Sequence, residues 1–305
     1  MAVGTEMAPA RQISLKDWTL LILLGAIWGG SFFFVSIAVA EIPPLNLVMF
    51  RVAIAAAILQ IWLGIRGPSF RLAFPMAGSF FALAFLNNII PFSLMFLGQT
   101  EIGAGLASVL NATTPFWTAI LANMFTADEK LSLPKLCGIL FGIAGTAVMI
   151  GPGLMTGLGG PIWAKLALVG TALSYAFAFI YARRFRHIPP PVIATGQLTA
   201  STVVMVPAIL LLHGPEGLFA ASAHVWAAVV ALAVLATSFA YIIYFRLIAS
   251  AGATNASLVT LIVPVSAILL GTLFLGERLE SFEIAGMVLI GLGLVTIDGR
   301  LLRRQ

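Results

Sequence analysis

The chain has 305 residues, of which 61% are hydrophobic and 9% are charged, with a net charge of +5. Soluble domains carry roughly 25% charged residues and about half apolar ones, so this composition excludes a water-soluble globular fold and predicts an integral membrane protein. The Lys and Arg residues are scattered over many short loops, so the positive charge reflects the orientation of the chain in the membrane and does not form a binding patch. We therefore expect no nucleic-acid partner.

The first apolar run, 18–39, follows Arg11 and Lys16 and runs into Ala38-Val39-Ala40, a tripeptide of the kind at which signal peptides are cleaved. The apolar part of a signal peptide is about 7 to 15 residues long. This run is long enough to span a bilayer instead. We therefore predict an uncleaved first transmembrane helix, preceded by a cytoplasmic segment over residues 1–17.

Ten apolar runs come close to the roughly 20 residues that a transmembrane helix needs. Pro- and Gly-rich turns separate them, and no linker is long enough for a soluble domain. The sequence therefore predicts an all-α membrane protein whose ten transmembrane helices cover 18–39, 45–65, 73–97, 102–125, 133–150, 163–183, 191–212, 224–246, 254–274 and 282–298.

The distribution of Lys and Arg predicts the orientation, because cytoplasmic loops carry an excess of both. Placing the N-terminus in the cytoplasm leaves Lys165 and Arg278 outside and Arg51 within the second run. All the other basic residues then lie on the cytoplasmic side, namely Arg11, Lys16, Arg66, Arg71, Lys130, Lys135, Arg183, Arg184, Arg186, Arg246, Arg300, Arg303 and Arg304. We predict that both termini are cytoplasmic and that the protein lies in the cell (inner) membrane.

An internal repeat is indicated by a shift of 149 residues, which aligns Gly103 with Gly252, Ser108 with Ser257 and Pro115 with Pro264. Each half holds five predicted helices, and an odd number makes the second half lie upside down relative to the first. We predict two inverted repeats over 18–150 and 163–299, an extracytoplasmic linker over 151–162 and a basic cytoplasmic tail over 300–305. Many secondary transporters have this architecture, with the substrate near the midplane.

Three features stand out: Trp28-Gly29-Gly30-Ser31, Arg51 and the stretch 264–279 (PVSAILLGTLFLGERL). In these features the sequence resembles the EamA-type drug/metabolite transporter superfamily. Each half of that family has a Pro in its fourth helix, a Gly-Glu in the next loop and a Gly-rich fifth helix. The second half matches with Pro264, Gly276-Glu277, Gly286, Gly291 and Gly293, and the first with Pro115, Glu129, Gly138, Gly142 and Gly145.

Two segments depart from the family pattern. Ala127-Asp128 replaces the Gly before Glu129, and 173–176 replaces the Trp-Gly of the first helix. The resemblance implies a ten-helix exporter of small metabolites, most similar to amino-acid exporters of the YddG type. Its implied substrates are amino acids, including aromatic or hydrophobic ones, moved by alternating access around a midplane cavity.

The energy coupling is predicted from an absence in the sequence. No Asp or Glu falls near the middle of a predicted helix, whereas proton-coupled carriers generally use a carboxylate or His within the membrane. We interpret the chain as a uniporter, with a proton-coupled antiporter as the first alternative. The second alternative is a channel-like facilitator, although the rings of charge or carbonyl filter of a channel are not visible.

Neither an enzyme nor a cofactor or metal site is predicted. No nucleophile with a nearby base, no nucleotide-binding loop and no His/Cys cluster occurs in the sequence, and the lone Cys137 excludes an intrachain disulfide. The expected partners are membrane lipid and a small-molecule substrate. Glycine pairs such as Gly138 and Gly142 predict close packing of the fifth and tenth helices as a scaffold, or else a dimer face. We expect a monomer, with a dimer as the alternative.

Polar and aromatic residues at mid-depth are the candidate substrate-binding residues, because an amide or hydroxyl in lipid needs a partner. For a Ser or Thr the alternative is a bond to its own helix backbone, and for an aromatic residue it is core packing. An Asn amide has more hydrogen-bonding groups than one carbonyl satisfies. The candidates are Trp28, Asn87, Asn88, Asn111, Thr114, Trp117, Tyr175, Phe177, Ser238, Tyr241, Ser257 and Thr260.

Three further residues have two interpretations each. Pro115 and Pro264 each remove a helix hydrogen bond, which predicts either a permanent kink or a pair of symmetry-related hinges. Arg51 is interpreted first as a guanidinium that reaches the outer interface. The alternative is a carboxylate-binding residue at the external mouth.

Overall fold

Within the described residues, every element of regular structure is helical. The computed structural model describes residues 14–125, 131, 133–156, 159–251 and 259–298. Seven helices there are long and apolar enough to cross a membrane, namely Leu15–Ala38, Pro44–Arg66, Phe70–Gly98, Leu133–Ile150, Ile162–Phe185, Pro190–His213 and Ala223–Tyr244. Two shorter apolar helices, Ile262–Phe274 and Ser281–Ile297, follow. The helical, membrane-embedded class is confirmed, whereas the count of ten stays a prediction.

The first half of the chain runs from α1 to α7. Its helices are α1 (Leu15–Ala38), α2 (Pro44–Arg66), α3 (Ala77–Ala84), α4 (Ile90–Gly98), α5 (Ala104–Asn111), α6 (Thr114–Phe125) and α7 (Leu133–Thr156). A 3₁₀ segment, Phe70–Met76, precedes α3, and a π-helical turn, Phe85–Ile89, joins α3 to α4.

The second half has a similar order of helices. They are α8 (Ile162–Ala182), α9 (Pro190–His213), α10 (Ala223–Ala233), α11 (Ala240–Ala251), α12 (Val259–Phe274) and α13 (Ser281–Asp298). A 3₁₀ segment, Arg183–Phe185, follows α8, and a second π-helical turn, Val234–Phe239, joins α10 to α11. The π turns begin 149 residues apart, which is the offset at which the two halves of the sequence align.

The two halves interlock rather than lie side by side. Helix α1 packs against α10, α11 and α12, α2 packs against α9, and α4 packs against α8. His213 at the end of α9 lies 2.6 Å from Asn46 at the start of α2, from its Nδ1 to the amide Oδ1. The bundle therefore has a Pro44 end, where residues 39–44 and 214–222 lie, and a Pro190 end, where residues 183–190 lie.

Helices α7 and α13 approach each other through glycines. A Cβ placed on Gly138 would lie 2.7 Å from the carbonyl oxygen of Gly293, and one on Gly286 would lie 2.6 Å from that of Gly145. Real Cβ atoms do not come so close to an oxygen, so both positions require glycine. These contacts confirm the predicted packing of the fifth and tenth apolar runs, and they occupy within one chain the face that was the alternative dimer surface.

The two π turns free carbonyl groups that side-chain hydroxyls then bind. Pro91 has no N–H to donate to the turn before it, and the Leu86 carbonyl accepts a 2.7 Å bond from Ser174 Oγ instead. In the second π turn, Thr237 donates to the Leu232 carbonyl at 2.9 Å and Ser238 to the Ala233 carbonyl at 3.0 Å. Such single-turn widenings often occur at functional sites.

The fourth apolar run differs from its predicted counterpart in the second half. It is broken at Ala112-Thr113, where Pro115 has no N–H for the Asn111 carbonyl, and the Thr114 hydroxyl donates to that carbonyl at 2.7 Å. Pro264 instead lies inside the continuous helix α12. The two prolines thus have different local geometry, and their hinge role stays a prediction.

Candidate functional site

A cavity of about 370 Å³ lies between the two halves of the bundle. The first half contributes residues from α1, α2, the first π turn and α4 to α6, and the second half contributes residues from α8, α9, α11, α12 and the second π turn. The cavity has the size of a small-molecule site, which is typically 300–1,000 Å³.

The cavity reaches the Pro190 end of the bundle but stops short of the Pro44 end. Its lining includes Pro190, the first residue of α9, and Val259, the first residue of α12. Towards the Pro44 end the lining stops at Met95, three residues before the end of α4 at Gly98, and at Ser108, four residues after the start of α5 at Ala104. At 1.5 Å per residue, the described lining therefore reaches a helix terminus at the Pro190 end and stops roughly 5–6 Å inside the helix ends at the Pro44 end.

Two carboxylates join the halves at the Pro44 end. Glu277 accepts hydrogen bonds from the backbone N–H groups of Ala104 at 2.6 Å and Gly105 at 3.0 Å, the first two residues of α5. Glu41 accepts bonds from the backbone N–H and the hydroxyl of Ser222, both at 2.7 Å, just before α10. Carboxylates at helix N-termini are favourable, because the unpaired N–H groups carry partial positive charge.

The Ser222 contacts also change the acidity of Glu41. The hydrogen bond from the Ser222 backbone N–H lowers the pKa of Glu41 most, and the Ser222 hydroxyl and the nearby His224 ring lower this pKa further. The His224 Nε2 atom lies 3.8 Å from the carboxylate. The contact that closes the Pro44 end is therefore formed by the ionised carboxylate.

Arg51 is the one charged residue among the described residues that line the cavity. Its side chain is 5% exposed, its Nε donates to Thr237 Oγ1 at 3.0 Å, and its guanidinium carbon lies 3.9 Å from the centre of the Phe92 ring. The first interpretation, a guanidinium that reaches the outer interface, is therefore wrong. The side chain lies between the two halves, bound by Thr237 of the second π turn and packed against Phe92 of α4.

Asn87 connects the two halves across the cavity. Its Nδ2 donates to the Gln197 side-chain oxygen at 2.8 Å, and its amide also hydrogen-bonds with the Tyr241 side chain. All three residues line the cavity. Gln197 was missed by the sequence analysis, although a Gln in the middle of the apolar run 191–212 is the same kind of signal as Asn87.

Asn111, Thr114 and Thr260 also line the cavity. The Thr114 hydroxyl donates to the backbone carbonyl of Asn111. This is the alternative that we gave above for Ser and Thr residues. The side-chain oxygen of Asn111 is buried and has no hydrogen-bond partner among the described residues. Asn111 therefore contributes an unsatisfied but buried acceptor beside the cavity.

Aromatic residues form much of the remaining wall. The rings of Trp28 and Tyr244 lie 5.4 Å apart, and Tyr175, Tyr241 and Phe92 line the cavity with them. This wall suits a ligand with an apolar or aromatic portion.

Of the other predicted residues, Asn88, Ser238, Phe177, Trp117 and Pro264 are not among the described residues that line the cavity. Asn88 is fully buried and donates to Ser201 at 3.0 Å, and Ser238 bonds to helix backbone. Phe177 is 38% exposed on the outer face of α8, and Trp117 and Pro264 are not part of the lining. Pro115 is part of it, and Ser257 lies outside the described residues.

Comparisons with known proteins identify the family of the chain. The model of the EamA-like transporter family matches residues 17–151 and again residues 162–297. A "Probable amino-acid metabolite efflux pump" of Salmonella typhimurium (strain LT2) is 28% identical over 309 residues, covering 96% of this chain and 98% of that protein. The inner membrane transporter YedA of Escherichia coli (strain K12) is 28% identical over 285 residues, covering 91% and 89%.

The fold itself is shared with a protein of known crystal structure. The two superpose with a TM-score of 0.67 at 20% identity, covering 96% of this chain and 100% of the other. Seven membrane-length helices and two family matches that together span almost the whole chain lead to one identification. This multi-pass membrane protein belongs to the EamA-like transporter family.

Proposed function

We propose that the protein is a secondary transporter of the inner membrane that exports small metabolites, with amino acids of aromatic or hydrophobic type as its substrates. The observation that carries the proposal is the 370 Å³ cavity between the two halves. Its aromatic wall and few polar groups match such a substrate. Similarity to proteins named as amino-acid metabolite efflux pumps in Salmonella typhimurium and Escherichia coli supports the substrate class.

The proposal includes ten spans, two inverted repeats and cytoplasmic termini. Added to the seven long helices and the two shorter apolar ones, the broken pair α5 and α6 supplies a tenth span. The double match of the family model and the equal offset of the two π turns support the repeat. The excess of Lys and Arg on one side supports cytoplasmic termini. Under this proposal the Pro190 end of the bundle faces the cytoplasm.

Alternating access follows as the proposed mechanism. Two observations support an inward-facing state in this proposal: the described lining reaches a helix terminus at the Pro190 end, and the Glu41 and Glu277 contacts join the two halves at the Pro44 end. Outward opening then requires both contacts to break while the Pro190 end closes. A closed outer end argues against a continuous pore and hence against the channel-like alternative.

The proposed energy coupling is uniport, in which the substrate moves without a coupled ion. Among the described residues that line the cavity there is no Asp, Glu or His, and a buried group of this kind generally relays the proton in coupled carriers. The substrate gradient then sets the direction of net movement. A proton-coupled antiporter remains the alternative that transport measurements distinguish.

Counterflow in proteoliposomes tests the proposal. Vesicles loaded with unlabelled phenylalanine should take up labelled phenylalanine to a transient maximum above the external concentration, because a carrier exchanges substrate across the membrane. Vesicles with no maximum and non-saturable uptake would contradict a carrier.

A matched pair of variants on α8 ties this transport to the cavity. Tyr175→Leu alters the cavity wall, whereas Phe177→Leu alters the lipid-facing surface two residues further along. We expect loss of counterflow in the first and normal counterflow in the second. Equal loss in both variants would contradict the assignment of the cavity.

A further inference from the structure

The charge balance of the cavity carries a narrower inference about its ligand. The described lining includes one guanidinium, Arg51, and no carboxylate. Arg51 forms no ion pair with any described residue, and the hydrogen-bond partner of its Nε, Thr237, is neutral. A bound molecule therefore meets an uncompensated positive charge.

The Arg51 guanidinium is also incompletely hydrogen-bonded. Its Nη1 atom is buried and has no partner among the described residues, although the side chain is only 5% exposed. A buried charge is costly unless it is paired and hydrogen-bonded. The Phe92 ring, 3.9 Å away, offers a favourable cation–π contact but no acceptor for this N–H.

The charge that fits this position is a single carboxylate. A guanidinium binds a carboxylate through two parallel N–H···O bonds, and one positive charge balances one negative charge. A phosphate monoester carries about −1.5 to −2, so it would leave excess negative charge in a largely aromatic cavity.

The amino group of an amino acid finds no equivalent partner. The described lining offers an ammonium neutral acceptors and aromatic rings, and a cation–π contact is weaker than a charge-assisted pair. Because Arg51 repels a second positive charge, the net gain from the amino group is small, whereas the carboxylate meets the opposite charge of Arg51.

We propose that Arg51 binds the carboxylate of the substrate, and that the cavity accepts aromatic monocarboxylates whether or not they carry an amino group. This inference rests on the proposed function, since it defines which molecules the carrier moves. The proposed substrates therefore include aromatic acids without an amino group as well as amino acids. Amines without a carboxylate are excluded.

Three compounds with the same phenyl group and two-carbon spacer test the inference. They are 3-phenylpropionate (carboxylate only), L-phenylalanine (carboxylate and ammonium) and 2-phenylethylamine (ammonium only). Calorimetric titration of the purified full-length protein in detergent measures each affinity directly. We expect 3-phenylpropionate to bind at least as tightly as phenylalanine, and the amine not to bind.

Variants of Arg51 show whether this residue is responsible. Arg51→Gln should lower the affinity for 3-phenylpropionate by a factor of roughly ten or more, because one charge-assisted interaction is lost. Arg51→Lys should lower this affinity less, because Lys keeps the charge but lacks the paired donors. Thermal unfolding of each variant reports folding, and if the Gln variant does not fold, the Lys variant supplies the comparison.

The outcomes separate this inference from the proposed function. Phenylalanine counterflow together with absent 3-phenylpropionate binding would overturn the inference and leave the carrier intact. An amine that binds as tightly as phenylalanine, or unchanged 3-phenylpropionate affinity in folded Arg51 variants, would overturn the inference as well. Absence of both counterflow and binding for all the aromatic compounds would overturn both.

Discussion

Glu277 is the residue whose removal should most directly change the conformational balance. Its carboxylate binds the N–H groups of Ala104 and Gly105 at 2.6 and 3.0 Å, and it thereby joins α5 of one half to the loop after α12 of the other. Glu277→Gln keeps one carbonyl acceptor but removes the charge. A hydrogen bond to a charged group contributes about 1.5–3 kcal/mol, so we expect the outward-closed state to lose roughly 1–3 kcal/mol.

That loss predicts a measurable change in population. Each 1.4 kcal/mol is a factor of ten, so the outward-open fraction should rise roughly 5- to 150-fold. Ser31 lines the cavity, and a Ser31→Cys variant in a Cys137→Ala background gives a single thiol there. Its reaction rate with a membrane-impermeant reagent applied from outside to intact cells measures outward opening.

Glu280→Gln is the matched control, because this acid lies in the same loop and its side chain is exposed. We expect faster labelling of the Ser31→Cys thiol in Glu277→Gln and unchanged labelling in Glu280→Gln. An unchanged rate in a folded Glu277→Gln variant would refute the assignment of Glu277 to outward closure.

Two further predictions use the same reasoning. Because the pKa of Glu41 is lowered in the closed structure, its contribution to closure is present above the ordinary Glu pKa and is lost as pH falls through the lowered value. Only the thiolate reacts and its fraction falls with pH, so the labelling rate of the Ser31→Cys thiol is divided by the rate of the same thiol in Glu41→Gln at each pH. This ratio should lie below one near neutral pH and rise towards one as pH falls through the lowered pKa of Glu41. A ratio that does not change with pH would contradict this role of Glu41. On α13, Gly293→Ala places a methyl group 2.6 Å from the Gly138 carbonyl oxygen, whereas Gly291→Ala meets nothing within 4 Å. The first variant should lose about 1–3 kcal/mol of stability in thermal unfolding, as overpacking does, and equal stability of the two would contradict the α7–α13 contact.

Much of the helix arrangement follows from the sequence alone. The predicted run 191–212 corresponds to α9, which spans Pro190–His213, because proline starts the helix and glycine ends it. The break before Pro115 follows from the missing proline N–H. The Gly138 and Gly145 contacts follow from the spacing of small residues.

The orientation of individual side chains does not follow in the same way. Helices that are apolar on all sides have no polar face to indicate which side turns inward. Asn87 and Asn88 are neighbours in sequence, yet the first lines the cavity and the second is buried against Ser201. Arg51 is the clearest case, since its distance from the helix start suggested the interface, whereas its contacts lie on the second π turn and α4, against which α2 packs.

The π turns are a further feature without a local sequence signal. Phe85–Ile89 and Val234–Phe239 differ in composition, and Pro91 follows the first turn alone. The first turn has a bond from the distant Ser174, whereas in the second turn the hydroxyls of Thr237 and Ser238 bond to the backbone just before them. The same widening thus arises from different residues in the two halves, and no shared local pattern predicts it.

Uptake of labelled phenylalanine into proteoliposomes, with and without an imposed pH gradient, tests the central claim most directly. A uniporter without a carboxylate in its cavity should show saturable uptake that stops when the internal and external concentrations are equal, and the pH gradient should not change this level. Accumulation above the external concentration that requires the pH gradient would contradict the account and would indicate proton coupling.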